Sequence, residues 1–201
     1  MVICRWAGPP DLFLTMICNP NWHEIQRHVE DAIPGQPTCD RPDVIVKVFK
    51  IKLDELMKDI RNFNHFGRVK AVIYTIEFQN RRLPHCRALI FLYEDDKIFS
   101  PNQIDHVIST ELPSEVDDLI GFEVVRSHMM HGPCGELNPS NSCMYKERGC
   151  QKGYPKAYFR ETYISSDGWS HYKRINNGRK AKVGRRNIML DNTFIIPHNL
   201  D

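Results

Sequence analysis

The feature that most constrains the fold is a pair of strand-like runs separated by a short polar turn. The first run, RVKAVIYTIEF at residues 68–78, is rich in β-branched and aromatic residues, which favour extended strands. The letters QNRRLP follow, and HCRALIFL at residues 85–92 is again strand-like. Two such runs joined by a short polar segment predict an antiparallel hairpin, so the chain should contain a sheet built around it.

Helical patterns flank this hairpin. One helix is predicted after Asp40 by apolar residues at steps of three and four, namely Ile45, Val48, Phe49, Leu53, Leu56 and Ile60. A strand is predicted at 11–17, then a helix ending near Ala32. Two helical segments, 101–109 and 113–130, follow the hairpin, the second with Ser114 as its cap. The tail after residue 191 predicts one short strand.

This order of elements indicates an α+β fold with a central antiparallel sheet and helices on one face. The region beyond His131 is rich in Gly, Pro, Cys and Asn and predicts a Cys/His-rich loop region, followed by strands around a tight turn at Ser166–Gly168. We therefore expect three parts: a core at residues 1–128, a zinc-like segment at 129–156, and a β-hairpin with a basic tail at 157–201.

Charge and cysteine content narrow the setting in which the chain works. The formal net charge is only +2, so a nucleic-acid surface must be local. The seven cysteines come without an apolar leader, and no run approaches the roughly 18 apolar residues of a membrane span. We expect an intracellular, reducing location and no membrane partner, so clustered cysteines indicate metal before disulfides.

One segment concentrates positive charge. Its basic residues are Lys173, Arg174, Arg179, Lys180, Lys182, Arg185 and Arg186. Charge alone is equally compatible with a solvated loop and with a phosphate-binding surface. Trp169 and Tyr172 lie close by in sequence, so this stretch could combine phosphate contacts with base stacking.

A second cluster has the residue types of a zinc site. His131, Cys134, Cys143 and Cys150 fall within one short segment, and the first two have the two-residue gap common in zinc knuckles. A bound metal explains how a segment without an apolar pattern becomes ordered. His128 is a possible substitute ligand. The alternative is three unrelated reduced cysteines in a surface loop.

The second strand of the hairpin carries a lone histidine, His85, at its start. Alternation along a strand puts His85 and Arg87 on the same face, where a His-x-His pair would aim two imidazoles at one metal ion. A guanidinium has no lone pair to donate. From these residues alone, the segment is either a damaged metal site or a strand end that never was one.

Several stretches occur in the order seen in Helitron transposases: DLFLTMICNPNWHEI, DRPDVIVKVFKIKLDELMKDI, AVIYTIEFQNRRLPHCRALIFL, IDHVISTELP and HMMHGPCGELNPSNSCM with GCQKGYPK. The chain resembles, over nearly its whole length, the N-terminal helicase-like domain of that family. The resemblance implies a replication-initiator-type (HUH) endonuclease that works in the nucleus. Such a domain cuts single-stranded DNA with a tyrosine nucleophile and a Mg²⁺ or Mn²⁺ ion. The helicase motor of the full-length family is not in this chain.

The resemblance also implies site residues. Thr15 falls in the first-strand motif that lines the site, and His85 and Cys86 fall in the His-hydrophobic-His motif. The third metal ligand is Glu77 or Gln79, and we favour Glu77 for its charge. The zinc-like residues fall in the family's cysteine-bearing segment.

Three departures from the family pattern bear on activity. Arg87 stands where the pattern has the second histidine, and Arg82 stands where it has glycine. The chain also ends before the segment that carries the paired nucleophilic tyrosines. Tyr154 and Tyr158 have a suggestive spacing, but Gly153 and Pro155 argue against a helix there, so we expect packing roles.

Three functions remain open on this basis. The chain is an active nickase, alone or within a longer transposase–helicase; it is a DNA-binding module that has lost cleavage; or it is a transposon-derived reading frame with no selected function. Arg87 favours the last two over the first.

Overall fold

The computed structural model describes residues 2–63, 65–78, 83–145, 149–184 and 186–199. Gln79, Arg82 and Arg185, which carry predictions above, lie outside these residues. The fold is mixed α+β with antiparallel sheets. The chain forms two compact units, residues 1–98 and 99–201. No helix in the described ranges is both long enough and apolar enough to cross a membrane.

The first unit combines three helices with one sheet. Its helices and strands, in chain order, are α1 (Val2–Ala7), β1 (Leu12–Ile17), α2 (His23–Ala32), α3 (Pro42–Asn62), β2 (Val69–Phe78) and β3 (Pro84–Leu92). The strands form an antiparallel sheet in the order β1-β3-β2, so the predicted hairpin supplies the central strand and one edge. The hairpin prediction is confirmed.

The core of the first unit lies between this sheet and helices α2 and α3. The predicted α3 stripe is confirmed, because Phe49, Leu53 and Ile60 are buried together with Ala88 and Ile90 of β3. The start of β1 is fixed to β3 by Asp11, whose carboxylate accepts a hydrogen bond from the Leu92 backbone N–H at 2.8 Å. The opposite face of the sheet carries polar side chains such as Arg87 beside exposed apolar ones such as Phe13 and Ile17.

The second unit is built from short elements. In chain order they are α4 (Pro101–Val107), α5 (Leu119–His128), β4 (Met144–Tyr145), β5 (Gly149–Cys150), β6 (Tyr163–Ile164), β7 (Ser170–His171), β8 (Lys180–Val183) and β9 (Ile188–Asp191). The last six strands pair as three two-stranded hairpins, β4-β5, β6-β7 and β8-β9. The predicted tight turn is confirmed, since Gly168 between β6 and β7 has φ +84°.

Helix α5 begins later than predicted. Ser114 does not cap it: its hydroxyl accepts a hydrogen bond from the Asp117 N–H within an isolated turn. The cap is Asp118, whose carboxylate accepts from the Gly121 N–H at 2.8 Å, and the helix starts at Leu119. A carboxylate at the N-cap also interacts favourably with the helix dipole.

The end of the chain and the division into units also differ from expectation. Asn192–Phe194 forms a short 3-10 helix in place of a tail strand, and Ile195 and His198 make only isolated β-bridges. The boundary between the compact units falls between residues 98 and 99, whereas the core was expected to run to residue 128. The reason is that α4 and α5 pack in the second unit: Phe122 and Val125 of α5 are buried with Ala181 and Ile195.

Candidate metal and nucleic-acid sites

The open face of the first sheet brings the predicted nickase residues together. On β3, Cys86 and Ala88 are buried beneath the helices, so His85 and Arg87 lie on the opposite face. The register places Glu77 of β2 opposite His85. It also places Thr15 of β1 opposite Arg87, from the other side.

Arg87 is paired with the predicted third ligand. Its Nη1 lies 3.4 Å from Oε2 of Glu77, and both side chains are 45% exposed. His85 and Glu77 could each provide one ligand atom to a metal cation. The Glu77 carboxylate, however, is already paired with the Arg87 guanidinium. This arrangement opposes binding of a divalent ion, which needs several oxygen or nitrogen ligands and is repelled by a fixed positive charge.

His85 itself is held in its neutral form. Burial lowers the pKa of its imidazole, the positive charge of Arg87 lowers it further, and Glu77 opposes both effects. A neutral imidazole keeps a lone pair, which a metal ligand requires. The histidine is thus chemically suited to its expected role, and Arg87 is the residue that conflicts with it.

The zinc-like residues converge in the second unit. One ligand atom from each of His131, Cys134, Cys143 and Cys150 lies within 4.8 Å of all the others. The His131 Nε2 atom is 3.3 Å from the Cys143 sulfur and 3.4 Å from the Cys150 sulfur. In tetrahedral zinc coordination the corresponding N···S separation is about 3.5 Å, so this cluster can hold a metal ion such as zinc.

Local backbone contacts bring the four residues to one point. The His131 N–H donates to the Phe194 carbonyl at 2.8 Å. The β4-β5 hairpin brings Cys143 and Cys150 together, with the Gln151 N–H donating to the Cys143 carbonyl at 2.8 Å. The predicted substitute ligand, His128, ends α5 and is not part of the cluster.

The ionisation of the cluster residues is coupled to metal binding. Burial, followed by the nearby Lys152 and Lys156, lowers the pKa of His131 and keeps the imidazole neutral. Burial and the neighbouring thiols raise the pKa of Cys134 to about 12. Thiols bind metal as thiolates, so ionisation of Cys134 at neutral pH calls for the charge of a divalent cation.

Comparison with known protein families gives one match. Residues 1–90 match the model of the Helitron helicase-like domain at N-terminus. No curated protein matches the sequence significantly. The resemblance to the Helitron helicase-like domain is therefore confirmed over residues 1–90.

The Helitron match covers part of the candidate sites. It includes β1, β2 and β3 up to Ile90, and hence Thr15, Glu77, His85 and Arg87. The Cys/His cluster lies beyond the matched residues, so its assignment depends on geometry alone. The two sites also lie in different compact units.

The basic residues predicted to bind DNA differ in their exposure. Arg174 is only 4% exposed, burial lowers its pKa, and its Nη1 donates to the Asn192 carbonyl, so it cannot serve the predicted DNA-binding role. Lys180 and Lys182 are exposed on one face of β8, and Arg179 and Arg186 are exposed beside it. Lys173 is half-buried.

The tyrosine pair has packing roles, as expected. Tyr154 stacks on the His131 ring with a centroid separation of 4.3 Å. Tyr158 interacts with the Asp191 carboxylate, which contributes to the raised pKa of its phenol, although burial is the larger cause. Neither tyrosine lies in a helix. Tyr154 is partly buried and packs against the apolar cluster of Cys134, Leu190 and Phe194.

Sequence reasoning missed two residues beside Arg87. Thr75 of β2 is opposite Arg87, and Phe13 of β1 is one alternation from Thr15 on the same face, with 65% of its surface exposed. Strand alternation places Phe13 on the face of Thr15, but the partner of Arg87 on β2 depends on the hairpin register. That register depends on a turn whose length the sequence left open.

A buried histidine predicts a dependence of stability on pH. His198 is 6% exposed, its Nδ1 is 3.0 Å from the Ile196 carbonyl oxygen, and its Nε2 has no hydrogen-bond partner in the described residues. Burial, aided by Arg174, lowers its folded pKa. The unfolded chain, with a pKa of about 6.5, therefore takes the proton first.

We expect the neutral, buried His198 to contribute fully to the stability of the second unit above about pH 6.5. This contribution should be lost as the pH falls toward the pKa of His198 in the folded protein. Urea unfolding at about pH 7.5 and 5.5 measures the change. His198→Gln should reduce the dependence, whereas the exposed His106→Gln should leave it as it is. Equal pH dependence in all three proteins would contradict the assignment.

Proposed function

We propose that this chain is a single-stranded DNA-binding relative of rolling-circle nickases whose metal-dependent cleavage centre is disabled. The observation that carries the proposal is the Arg87–Glu77 contact of 3.4 Å beside His85. In an operating centre, His85, a second histidine and a third polar ligand would hold Mg²⁺ or Mn²⁺, which would polarise the scissile phosphate. Here a cation replaces one ligand and engages another.

DNA affinity does not need that metal. The exposed Lys180 and Lys182 on β8, with Arg179 and Arg186, provide a local positive surface for phosphates. Trp169, 72% exposed after the β6-β7 turn, offers a face for base stacking. The Arg87–Glu77 contact, together with such a surface, favours a binding module over an enzyme. An active role within a longer transposase–helicase is the alternative.

The first test of this proposal is cleavage and metal binding. We expect no cleavage of single-stranded DNA by the chain in Mg²⁺ or Mn²⁺, and very weak Mn²⁺ binding by titration calorimetry. Arg87→His should strengthen Mn²⁺ binding because it removes the repulsion and adds a ligand. Arg87→Gln is the control, since it removes the charge and adds no imidazole.

Different outcomes test the loss of cleavage, the remaining metal ligands and the DNA-binding surface separately. Metal-dependent nicking by the unaltered chain would overturn the loss of cleavage. Equal Mn²⁺ affinity in Arg87→His and Arg87→Gln would show that Glu77 and His85 do not form the remainder of a metal site. DNA binding that does not weaken with added salt would reject the phosphate surface on β8.

We also propose that the Cys/His cluster binds zinc in a structural role. Four protein ligands leave no open position for a substrate, which is typical of structural sites. The supporting observation is the convergence of His131 and the three thiols within 4.8 Å. Removal of one ligand is the sharpest test of this assignment.

A further inference from the structure

We infer that Cys143 and Cys150 form an oxidation site through which hydrogen peroxide releases the proposed zinc. The inference rests on the proposed zinc-binding role of the Cys/His cluster and adds a reversible covalent change to it. In the reduced chain both thiolates hold the metal together with His131 and Cys134. In the oxidised chain a disulfide joins Cys143 to Cys150, and the two remaining ligands are too few to retain zinc in a structural site.

The backbone of the β4-β5 hairpin places the two cysteines at disulfide distance. Met144 is directly opposite Cys150 in the antiparallel register, and Cys143 is the residue before Met144. The Cα atoms of the two cysteines are therefore about 6 Å apart, within the range that a disulfide spans. Both sulfurs contact the same His131 Nε2 atom, at 3.3 and 3.4 Å, and they lie within 4.8 Å of each other. The S–S bond can thus form by small side-chain rotations.

Exposure distinguishes this pair from the third cysteine of the cluster. Cys143 and Cys150 are only partly buried, whereas Cys134 is 1% exposed. A small oxidant dissolved in water reaches an accessible thiolate before an enclosed one. The thiolate that reacts first therefore belongs to Cys143 or Cys150, and the accessible sulfur that resolves it is the other member of the pair.

The reaction is a two-electron oxidation by the peroxide. One thiolate attacks a peroxide oxygen, the O–O bond breaks, and a sulfenic acid forms while the departing hydroxide takes a proton from solvent and becomes water. The second thiolate attacks the sulfenic sulfur, the S–O bond breaks, and the second hydroxide is protonated in the same way. The two sulfurs lose two electrons, the peroxide gains them, and zinc leaves as the same divalent ion. A dithiol reductant reverses the S–S bond and frees both thiolates to bind zinc again.

Oxidation of the pair should affect the rest of the second unit. Cys143 and Cys150 pack against the same apolar cluster as Val183 and Ile188, which belong to the β8-β9 hairpin. Loss of zinc removes the link between this cluster and the β4-β5 hairpin. Peroxide should therefore weaken the cooperative unfolding of the second unit, and a reductant with added zinc should restore it.

The experiment treats the zinc-loaded full chain with hydrogen peroxide. Zinc release is followed with a chromogenic chelator, and disulfides are mapped by mass spectrometry after the remaining thiols have been alkylated. We expect about one zinc released per chain, a disulfide between Cys143 and Cys150, and an alkylated Cys134, with dithiothreitol and added zinc reversing the change.

Two variants test the assignment of the pair. Cys143→His keeps a fourth zinc ligand but removes one sulfur, so it should hold zinc and release it roughly tenfold more slowly in peroxide. Cys39→Ser is the matched control, because Cys39 is an exposed cysteine of the first unit, and it should release zinc at the rate of the unaltered chain.

Different outcomes distinguish the oxidation site from the zinc site on which it rests. A reduced chain that takes up no zinc would overturn the proposed zinc site. A zinc-loaded chain that keeps its zinc in peroxide, or that releases it with a disulfide to Cys134 or with sulfinic acids alone, would reject the oxidation site and leave the zinc site in place. If Cys143→His holds no zinc, Cys150→His replaces it, and the disulfide map of the unaltered chain decides in either case.

Discussion

Replacement of Cys134 by serine is expected to abolish zinc binding and to unfold the second unit. Cys134 is 1% exposed and packs with Leu190 and Phe194. The segment around it has only two-residue strands and little apolar pattern of its own, so the proposed zinc would supply much of its order. Structural zinc contributes on the order of 10 kcal/mol in small zinc-binding folds, which is comparable to the whole stability of a typical domain.

Metal analysis and unfolding measure the result together. The unaltered chain should hold about one zinc per molecule. Cys134→Ser should hold almost none and should lose the cooperative transition of the second unit. Cys39→Ser is the control, because Cys39 is an exposed cysteine outside the cluster, in the first unit. Zinc-free protein that retains both transitions would refute the structural role.

The loss should extend to the basic hairpin. Val183 at the end of β8 and Ile188 at the start of β9 pack against the same apolar cluster as Cys134. The hairpin that presents Lys180 and Lys182 is thus supported by the metal segment within one unit. Salt-dependent DNA binding through these lysines should therefore decline when zinc is removed, while the transition of the first unit persists.

The features that could be predicted from sequence are those with a local periodicity. The stripe on α3 gave the buried face of that helix, and β-branched runs gave β2 and β3 with nearly correct ends. The Cys/His cluster was also predictable, because its residue types and spacing are those of ligands to one metal ion. In each case the information lies within a short stretch of chain.

The features that escaped prediction depend on contacts between distant segments. The burial of Arg174 results from its packing near Asn192, and a basic stretch gives no sign of which cation turns inward. The β8-β9 hairpin was hidden because Lys180 and Lys182 alternate with Ala181 and Val183, and the charge drew attention from the alternation. The Arg87–Glu77 contact likewise required the register.

Leu53→Ala should destabilise the first unit by about 2–5 kcal/mol, since it deletes a large side chain from a packed core. Leu53 has 0% exposure and belongs to the cluster that includes Ala88 and Ile90 of β3. The control is Ile51→Ala on the same helix, because Ile51 is 63% exposed and its loss should change the free energy of unfolding by about 0.5 kcal/mol or less.

Urea unfolding gives the two free energies, and similar losses in both variants would mean that α3 does not pack on the sheet through this face. The comparison also distinguishes a residue that stabilises the sheet from residues that would contact DNA. Leu53 lies beneath β3, whereas Arg87 is exposed on the other face of the same strand. Under conditions where Leu53→Ala remains folded, its affinity for single-stranded DNA should match that of the unaltered chain, because Lys180 and Lys182, proposed to contact phosphates, lie in the second unit.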